Sequence, residues 1–273
     1  MDNRRIGFFD SGLGGLTCIP YLMTALPNER IVYFGDTART PYGSKAVGTI
    51  RNFAFEITDF LASEDVKMIV IACNTVSATC LSDLRARHPE LPVIGIISPA
   101  AHTIAASCTT ENKIGIIGTK VTIGSGAYLS KIREIAPDLN IHEAPCPIFV
   151  PLIEEGFVSS AIMDLSIKHY LDDFLSGNGI DTLVLGCTHY PLIKENISRL
   201  YPEIAIVDPS KEVVTSIEEG LLRFGLHANG EEEGGHIFYA SDLSENFVNM
   251  IDRIFKGTGF TVAFKNFDLE AMV

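Results

Sequence analysis

The feature that most constrains the fold is a regular alternation of short apolar runs with longer segments of helical periodicity. In the first third of the chain, β-branched and aromatic runs predict four strands, at Arg5–Phe9, Ile31–Phe34, Met68–Ala72 and Val93–Ile96. Between them, apolar residues recur at helical spacing over Gly15–Ala25, Ala46–Ala62 and Ser77–Arg87. Because strands that alternate with helices form parallel sheets covered on both faces, we expect an α/β fold.

The second half of the chain repeats this order. It predicts strands at Lys113–Ile117, Asn140–Glu143, Thr182–Leu185 and Ile204–Val207, and helices near Tyr128–Ile135, Ala161–Leu175 and Ile193–Leu200. Parts of the two halves also match in sequence, since Ile6–Ser11 resembles Ile114–Thr119 and Val70–Thr75 resembles Val184–His189. The alternative is chance similarity between strand-rich segments. We expect two pseudo-symmetric lobes, each a mostly parallel sheet covered by helices, with the active site between them.

The last part of the chain is too short for a third domain. It predicts a polar loop and four further elements, at Glu212–Arg223, Asn229–Gly235, His236–Ala240, Asn246–Phe255 and Thr261–Phe264. We expect this tail to rejoin the sheet of the first lobe. The predicted domains are therefore residues 1–97 with 209–273, and residues 98–208.

Charge and apolar content narrow the class of protein. The formal net charge of −13 disfavours a nucleic-acid partner, because a phosphate backbone requires a basic face. The longest apolar runs are too short to cross a bilayer, and Met1–Arg5 leads into a strand rather than a signal segment. We therefore expect a cytoplasmic protein with no membrane partner.

Two of the six cysteines, Cys73 and Cys187, each follow a continuous apolar run and precede polar residues. In a parallel sheet this place is the carboxyl end of a strand, where ligands bind. Inverting a stereocentre by proton transfer requires an acid/base on each face of the carbon, and a perturbed thiol can titrate near neutral pH. The alternative for any cysteine is a small buried apolar residue, as we expect for Cys18, Cys80, Cys108 and Cys146.

Neighbouring residues could assist these thiols. Asp10 ends the first strand, and His189 lies two residues after Cys187. The Gly12–Gly15 run could simply be a tight strand-to-helix turn, or its amides could bind a carboxylate. It lacks a nucleotide-binding motif. Two other functions remain open: a Cys-His-Asp hydrolase using Cys187 and His189, and a zinc-binding protein using Cys73 as well.

Several ordered motifs resemble the glutamate racemases of the aspartate/glutamate racemase superfamily. The resemblance runs from Gly7 to about Ser210 and is carried by Phe9–Leu16, Gly35–Arg39, Pro41–Gly43, Ala72–Thr75, Ile117–Thr119, Thr122–Ile123 and Leu185–Leu192. Ser98 and Val76 depart from the usual pattern, because the family usually has an acidic residue and a small residue at these two places. These departures put substrate fit and regulation in doubt, rather than the reaction.

The resemblance implies that Cys73 and Cys187 interconvert L- and D-glutamate without a cofactor or a metal. It implies that Asp10 supports Cys73, and that His189 and Glu154, which we favour over Glu155, support Cys187. The implied substrate contacts are Asp10, Ser11, Pro41, Tyr42, Gly43, Ser44, Asn74, Thr75, Thr119, Thr188 and His189. We also expect a homodimer that supplies D-glutamate for peptidoglycan. Aspartate racemase is the closest alternative, because it needs the same paired bases.

Overall fold

The computed structural model describes residues 1–230, 234–255 and 260–267, so residues 231–233 of the expected polar loop lie outside it. The strands are β1 (Ile6–Asp10), β2 (Ile31–Gly35), β3 (Met68–Ile71), β4 (Val93–Gly95), β5 (Lys113–Gly118), β6 (Asn140–Pro145), β7 (Thr182–Gly186), β8 (Ala205–Val207), β9 (His236–Ala240) and β10 (Phe260–Phe264). The α-helices are α1 (Ile19–Ala25), α2 (Val47–Ser63), α3 (Asn74–Thr79), α4 (Leu81–Arg87), α5 (Ile97–Ser107), α6 (Lys120–Gly124), α7 (Ala127–Ile135), α8 (Phe149–Glu154), α9 (Ala161–Asn178), α10 (Lys194–Leu200), α11 (Glu212–Phe224) and α12 (Glu245–Phe255).

The strands form two parallel sheets. One has the order β10-β9-β2-β1-β3-β4 and the other β6-β5-β7-β8. The order β2-β1-β3-β4 in the first sheet therefore recurs as β6-β5-β7-β8 in the second. The prediction of an α/β fold with two similar lobes is confirmed, and β9 and β10 return to the first sheet as expected. The exact domain boundaries stay a prediction.

Helix α9 illustrates how the sequence produces these elements. Met163, Ile167, Leu171 and Leu175 recur every four residues and are buried, so one face of the helix packs on the core. The hydroxyl of Ser160 accepts a hydrogen bond from the Met163 amide and caps the start of the helix. Gly179 ends it in the left-handed conformation, at φ 62°, which glycine adopts without a steric penalty.

The central apolar core joins the two lobes, which we name by their sheets: the first lobe carries the six-stranded sheet and the second the four-stranded one. Ile6 and Phe8 of β1 belong to the same buried cluster as Phe149 of α8 and Met163 of α9. Two further clusters fill the outer faces, one beneath α2 and one beneath α5 and α7. The shared core places the carboxyl ends of β1, β3 and β7 close to one another.

Some helices differ from the sequence-based expectation. The segment expected as one helix over Ser77–Arg87 is two, α3 and α4, with Cys80 between them. The segment Gly15–Ala25 is a 3₁₀ turn followed by α1, which begins at Ile19. Pro20 lies in the first turn of α1, where a helix tolerates proline. Helices α5, α6 and α8 were not predicted, because α6 and α8 are short and α5 contains Pro99 in its first turn.

His236 is a half-buried residue of β9, and its ring lies 4.9 Å from that of Phe255. Burial, together with Arg30 and Arg5, lowers the pKa of His236 to about 4, from an ordinary value of 6.5. As the pH falls through this window, the unfolded chain binds a proton that the folded chain does not, so stability falls. Solvent screens the site, so we expect a loss of about 1 kcal/mol between about pH 7 and about pH 5. His236→Phe should flatten this dependence in urea unfolding, and an unchanged slope would contradict the assignment.

Candidate active site

A small cavity lies where the two lobes meet, with a volume of about 10 Å³, roughly the space of one water molecule. Its lining comprises Ser11, Pro41, Tyr42, Gly43, Cys73, Asn74, Thr75, Thr119, Val150, Cys187, Thr188 and His189. All of these except Val150 were expected in the site from the sequence. A larger groove of about 830 Å³ runs between α4 and α11, but it contains none of the expected residues. We place the candidate active site in the small cavity, because the titratable groups converge there.

Cys73 lies between β3 and α3, in the first lobe. Its side chain is buried, and its Sγ donates a hydrogen bond to Ser11 Oγ over 3.5 Å. Burial, reinforced by the negative charge of Asp10, raises the pKa of Cys73 to about 12. In this closed arrangement Cys73 is therefore a neutral thiol at physiological pH.

Cys187 occupies the equivalent place in the second lobe, directly after β7. Its Sγ lies 3.9 Å from Nδ1 of His189, and Nε2 of the same ring lies 2.5 Å from Oε1 of Glu154. Burial alone would lower the pKa of His189, but its hydrogen bonds with Cys187 and Glu154 raise it well above the ordinary value. Glu155 is exposed, so the geometry selects Glu154 as the neighbour of His189.

Asp10 lies behind the cavity rather than in its lining. Its carboxylate accepts hydrogen bonds from the amides of Gly12 and Gly15, at 3.2 and 3.0 Å, and from the Thr188 hydroxyl at 3.3 Å. Burial raises its pKa, although the positive charge of His189 opposes the shift. Among the described residues, Cys73 Sγ is hydrogen-bonded to Ser11 and not to Asp10.

The amides of the Gly12–Gly15 turn have carboxylate partners within the protein itself. Two of these amides bind Asp10, and the Leu13 amide donates to Glu154 Oε1 over 3.3 Å. The turn therefore binds carboxylates of the protein itself, one from each lobe. A sequence pattern identifies a turn with free amides, but the partner of each amide depends on the tertiary fold.

Threonine hydroxyls connect the two lobes at the edge of the cavity. The Oγ1 atoms of Thr75, Thr119 and Thr122 lie 2.9 to 3.2 Å apart in every pair. Thr75 belongs to α3 in the first lobe, whereas Thr119 and Thr122 begin α6 in the second. Thr122 was not predicted as a site residue, although it stands in one of the motifs that carry the resemblance.

The loop before α2 closes one side of the cavity. The Tyr42 hydroxyl donates to the buried Asp36 carboxylate, which also forms an ion pair of 2.8 Å with Arg39. Gly43 lies against Thr119 of the opposite lobe, so a Cβ atom at Gly43 would be only 2.2 Å from the Thr119 Cβ. Ser44, which was expected to contact the substrate, is exposed and does not line the cavity.

The described part of the chain has neither a metal-binding cluster nor a membrane-spanning helix. In residues 1–230, 234–255 and 260–267, no group of three or more His, Cys, Asp or Glu side chains is arranged to hold a metal ion. Over the same residues, no helix has both the length and the apolar character that crossing a membrane requires.

Comparison with known proteins identifies the family of this chain. Residues 20–217 match the Asp/Glu/Hydantoin racemase family. The chain is 45% identical to a glutamate racemase of Chlorobaculum tepidum over 254 residues, which cover 93% of this chain and 92% of the relative. It resembles the crystal structure of glutamate racemase from Francisella tularensis in complex with D-glutamate, with a TM-score of 0.87, 37% identity and coverage of 99% and 100% of the two chains. The Escherichia coli glutamate racemase in complex with L-glutamate and an activator gives a TM-score of 0.78 at 25% identity, with coverage of 96% and 98%.

Proposed function

Since the chain belongs to the Asp/Glu/Hydantoin racemase family and is an amino-acid racemase, we propose that it interconverts L- and D-glutamate through Cys73 and Cys187. The observation that carries this proposal is the position of the two cysteines. They lie at equivalent strand ends of the two lobes and line one cavity. Relatives bound to D-glutamate and to L-glutamate support glutamate as the substrate.

The reaction needs one proton acceptor and one proton donor on opposite faces of the α-carbon. One cysteine, as a thiolate, takes the α-proton and becomes a thiol, and the carbon carries the electron pair. The other cysteine, as a thiol, gives its proton to the opposite face and becomes a thiolate. The configuration at the α-carbon is inverted, and the protonation states of the two cysteines are exchanged.

The thiolates need a favourable electrostatic environment. Burial favours the neutral thiol of Cys73, but the ammonium group of a bound amino acid would bring a positive charge that favours the thiolate. On the other side, the raised pKa of His189 keeps an imidazolium beside Cys187 at neutral pH, where it can stabilise the thiolate or return a proton. The two sulfur atoms therefore have different surroundings. The hydrogen bond with Ser11 favours the Cys73 thiolate and the charge of Asp10 opposes it, whereas Cys187 lies beside His189, whose ring contacts Glu154.

Entry of an amino acid requires the cavity walls to separate. A space of about 10 Å³ holds roughly one water molecule, and glutamate is much larger. The walls belong to both lobes, so substrate binding and the relative position of the lobes are coupled in this proposal.

The proposed reaction is tested by incubating the purified protein with L- or D-glutamate in deuterated water. We expect loss of optical rotation and incorporation of deuterium at the α-carbon from either enantiomer. Aspartate is the matched comparison, because it presents the same α-carbon on a shorter side chain. Racemisation of aspartate but not of glutamate would move the assignment to the alternative substrate, and inactivity on both would overturn the proposal.

Glu154 and its neighbour Glu155 should respond differently to the same substitution. Glu154→Gln removes the charge that holds His189 protonated, so we expect kcat to fall by roughly 10-fold to 100-fold. Glu155→Gln is the matched control, because Glu155 is exposed and the same substitution there should leave kcat unchanged. The pH profile of kcat should also shift in Glu154→Gln, since the pKa of His189 falls. Equal effects of the two substitutions would contradict the role of Glu154.

The cellular setting follows from the same proposal. A glutamate racemase would supply D-glutamate for peptidoglycan in the cytoplasm, without a cofactor, and would act as a homodimer. Depletion of the protein should cause a loss of cell shape that added D-glutamate relieves.

For a homodimer, sedimentation should give twice the 29.7 kDa mass of one chain. A monomer in solution would remove the dimer from the proposal but leave the reaction intact.

A further inference from the structure

Tyr128 is a buried residue of α7 that does not line the cavity but contacts a side chain that does. Its hydroxyl donates a hydrogen bond of 2.6 Å to Oδ1 of Asn74. Asn74 begins α3, directly after Cys73, and its side chain lines the cavity. Because Tyr128 belongs to the second lobe and Asn74 to the first, this hydrogen bond crosses between the lobes beside the reacting groups.

The hydrogen bond determines which end of the Asn74 amide faces the cavity. Tyr128 is fully buried, so its hydroxyl proton needs an acceptor, and Asn74 Oδ1 is its acceptor in the described part of the chain. With the amide reversed, the hydroxyl would accept from Nδ2 and its own proton would be left unpaired. Burial also raises the pKa of Tyr128, which keeps the hydroxyl protonated. The carbonyl end of the amide is therefore fixed on Tyr128.

The opposite end of the amide is then free to serve a ligand. Across the described residues, Asn74 Nδ2 makes no hydrogen bond, and it is not among the buried nitrogen atoms that lack a partner. Its two N–H donors therefore remain available on a residue that lines the cavity. The ligand chemistry that suits two such donors is a carboxylate, whereas an inward carbonyl oxygen would repel one.

We propose that Tyr128 is a positioning residue, which orients the Asn74 amide so that its N–H groups meet a carboxylate of the bound amino acid. This inference rests on the proposed function, because it takes an amino acid as the ligand of the cavity. It also makes the alignment of these donors depend on contact between the two lobes. The amide is oriented only while the two lobes are together, so the donors are aligned when the cavity closes.

The test is Tyr128→Phe, which removes one oxygen atom and keeps the ring. The freed amide can turn its carbonyl inward, so we expect KM for both enantiomers to rise about 10-fold, as for loss of one hydrogen bond to a charged group. The value of kcat should change by less than about 2-fold, because the substrate complex and the transition state lose the same interaction with the Asn74 amide. Tyr201→Phe is the matched control. The Tyr201 hydroxyl also donates to a side chain, that of Asp172, but neither residue lines the cavity, so KM should not change.

A double substitution separates positioning from general stability. If Tyr128 acts through Asn74, then adding Tyr128→Phe to Asn74→Ala should change KM no further. A rise of the same size in that background, or an unchanged KM in Tyr128→Phe alone, would overturn the inference while the proposed function stands. Failure of the unsubstituted protein to racemise glutamate would instead overturn the proposed function and this inference with it.

Asn74→Asp tests the orientation without altering Tyr128. The aspartate keeps an acceptor for the Tyr128 hydroxyl but turns the cavity-facing donors into a negatively charged acceptor. We expect KM to rise further than in Asn74→Ala, because the new charge repels the substrate carboxylate. Equal KM values for the two variants would overturn the inference even if Tyr128→Phe did not fold.

Discussion

Replacement of either Cys73 or Cys187 by alanine is expected to lower kcat for glutamate racemisation by about 10⁴-fold, the upper range for loss of one acid/base group. The proposed reaction uses both sulfur atoms in every turnover, so removal of one leaves a face of the α-carbon without a proton donor or acceptor. Both side chains are small and lie at strand ends, and we expect the fold to survive. Circular dichroism and a melting curve would check this.

Deuterium exchange gives the sharper measurement in these variants. With one cysteine left, a proton can be removed and a deuteron returned only on one face, so exchange is restricted to one enantiomer and proceeds without inversion. Cys73→Ala and Cys187→Ala should therefore differ in the enantiomer that they exchange. Exchange of the same enantiomer by both, or racemisation by either one, would contradict two bases on opposite faces.

Two other cysteines provide controls for these substitutions. Cys80 lies between α3 and α4, and Cys108 follows α5, and neither lines the cavity. Alanine at either position also removes a sulfur atom from a buried site, and the loss of its packing lowers stability somewhat. We expect both variants to keep kcat within about 2-fold, which would locate the effect at Cys73 and Cys187 rather than in cysteine loss in general.

Much of the fold could be predicted from the sequence, because its main signals are local. The runs that become β1, β3, β5 and β7 are continuous apolar segments, and their alternation with helical segments requires parallel sheets. The same logic placed Cys73 and Cys187 at strand ends. Their convergence on one cavity depends on the packing of the two lobes, which a local pattern does not contain.

The residues that sequence reasoning missed act through tertiary contacts. Tyr128 looks like an ordinary apolar position of an amphipathic helix, and only its contact with Asn74 distinguishes it. Val150 lies on the short helix α8, which carries no helical periodicity long enough to detect. Thr122 stands in a recognised motif, but its link with Thr75 and Thr119 appears only when the lobes are assembled.

Gly43→Ala is expected to have the second-largest effect, because at this residue the two lobes lie too close together for any side chain. A Cβ atom there would lie 2.2 Å from the Cβ and 2.5 Å from the Cγ2 of Thr119. Thr119 cannot easily turn away, since its hydroxyl is hydrogen-bonded to both Thr75 and Thr122. The added methyl group must therefore hold the cavity walls apart, and misplacement by about 1 Å can cost about 100-fold in rate. We expect kcat/KM for glutamate to fall by about that factor.

Gly48→Ala is the matched control for Gly43→Ala, since it adds the same methyl group a few residues along the chain. Gly48 lies in α2, and a Cβ atom there would have no neighbour within 4 Å. Alanine favours the helix over glycine by roughly 0.5 to 1 kcal/mol, so this variant should be slightly more stable and equally active. If Gly43→Ala racemised glutamate as fast as Gly48→Ala, close approach of the lobes at this point would not be needed for the reaction. A selective loss in Gly43→Ala would instead tie catalysis to the closed arrangement, in which both cysteines share one cavity.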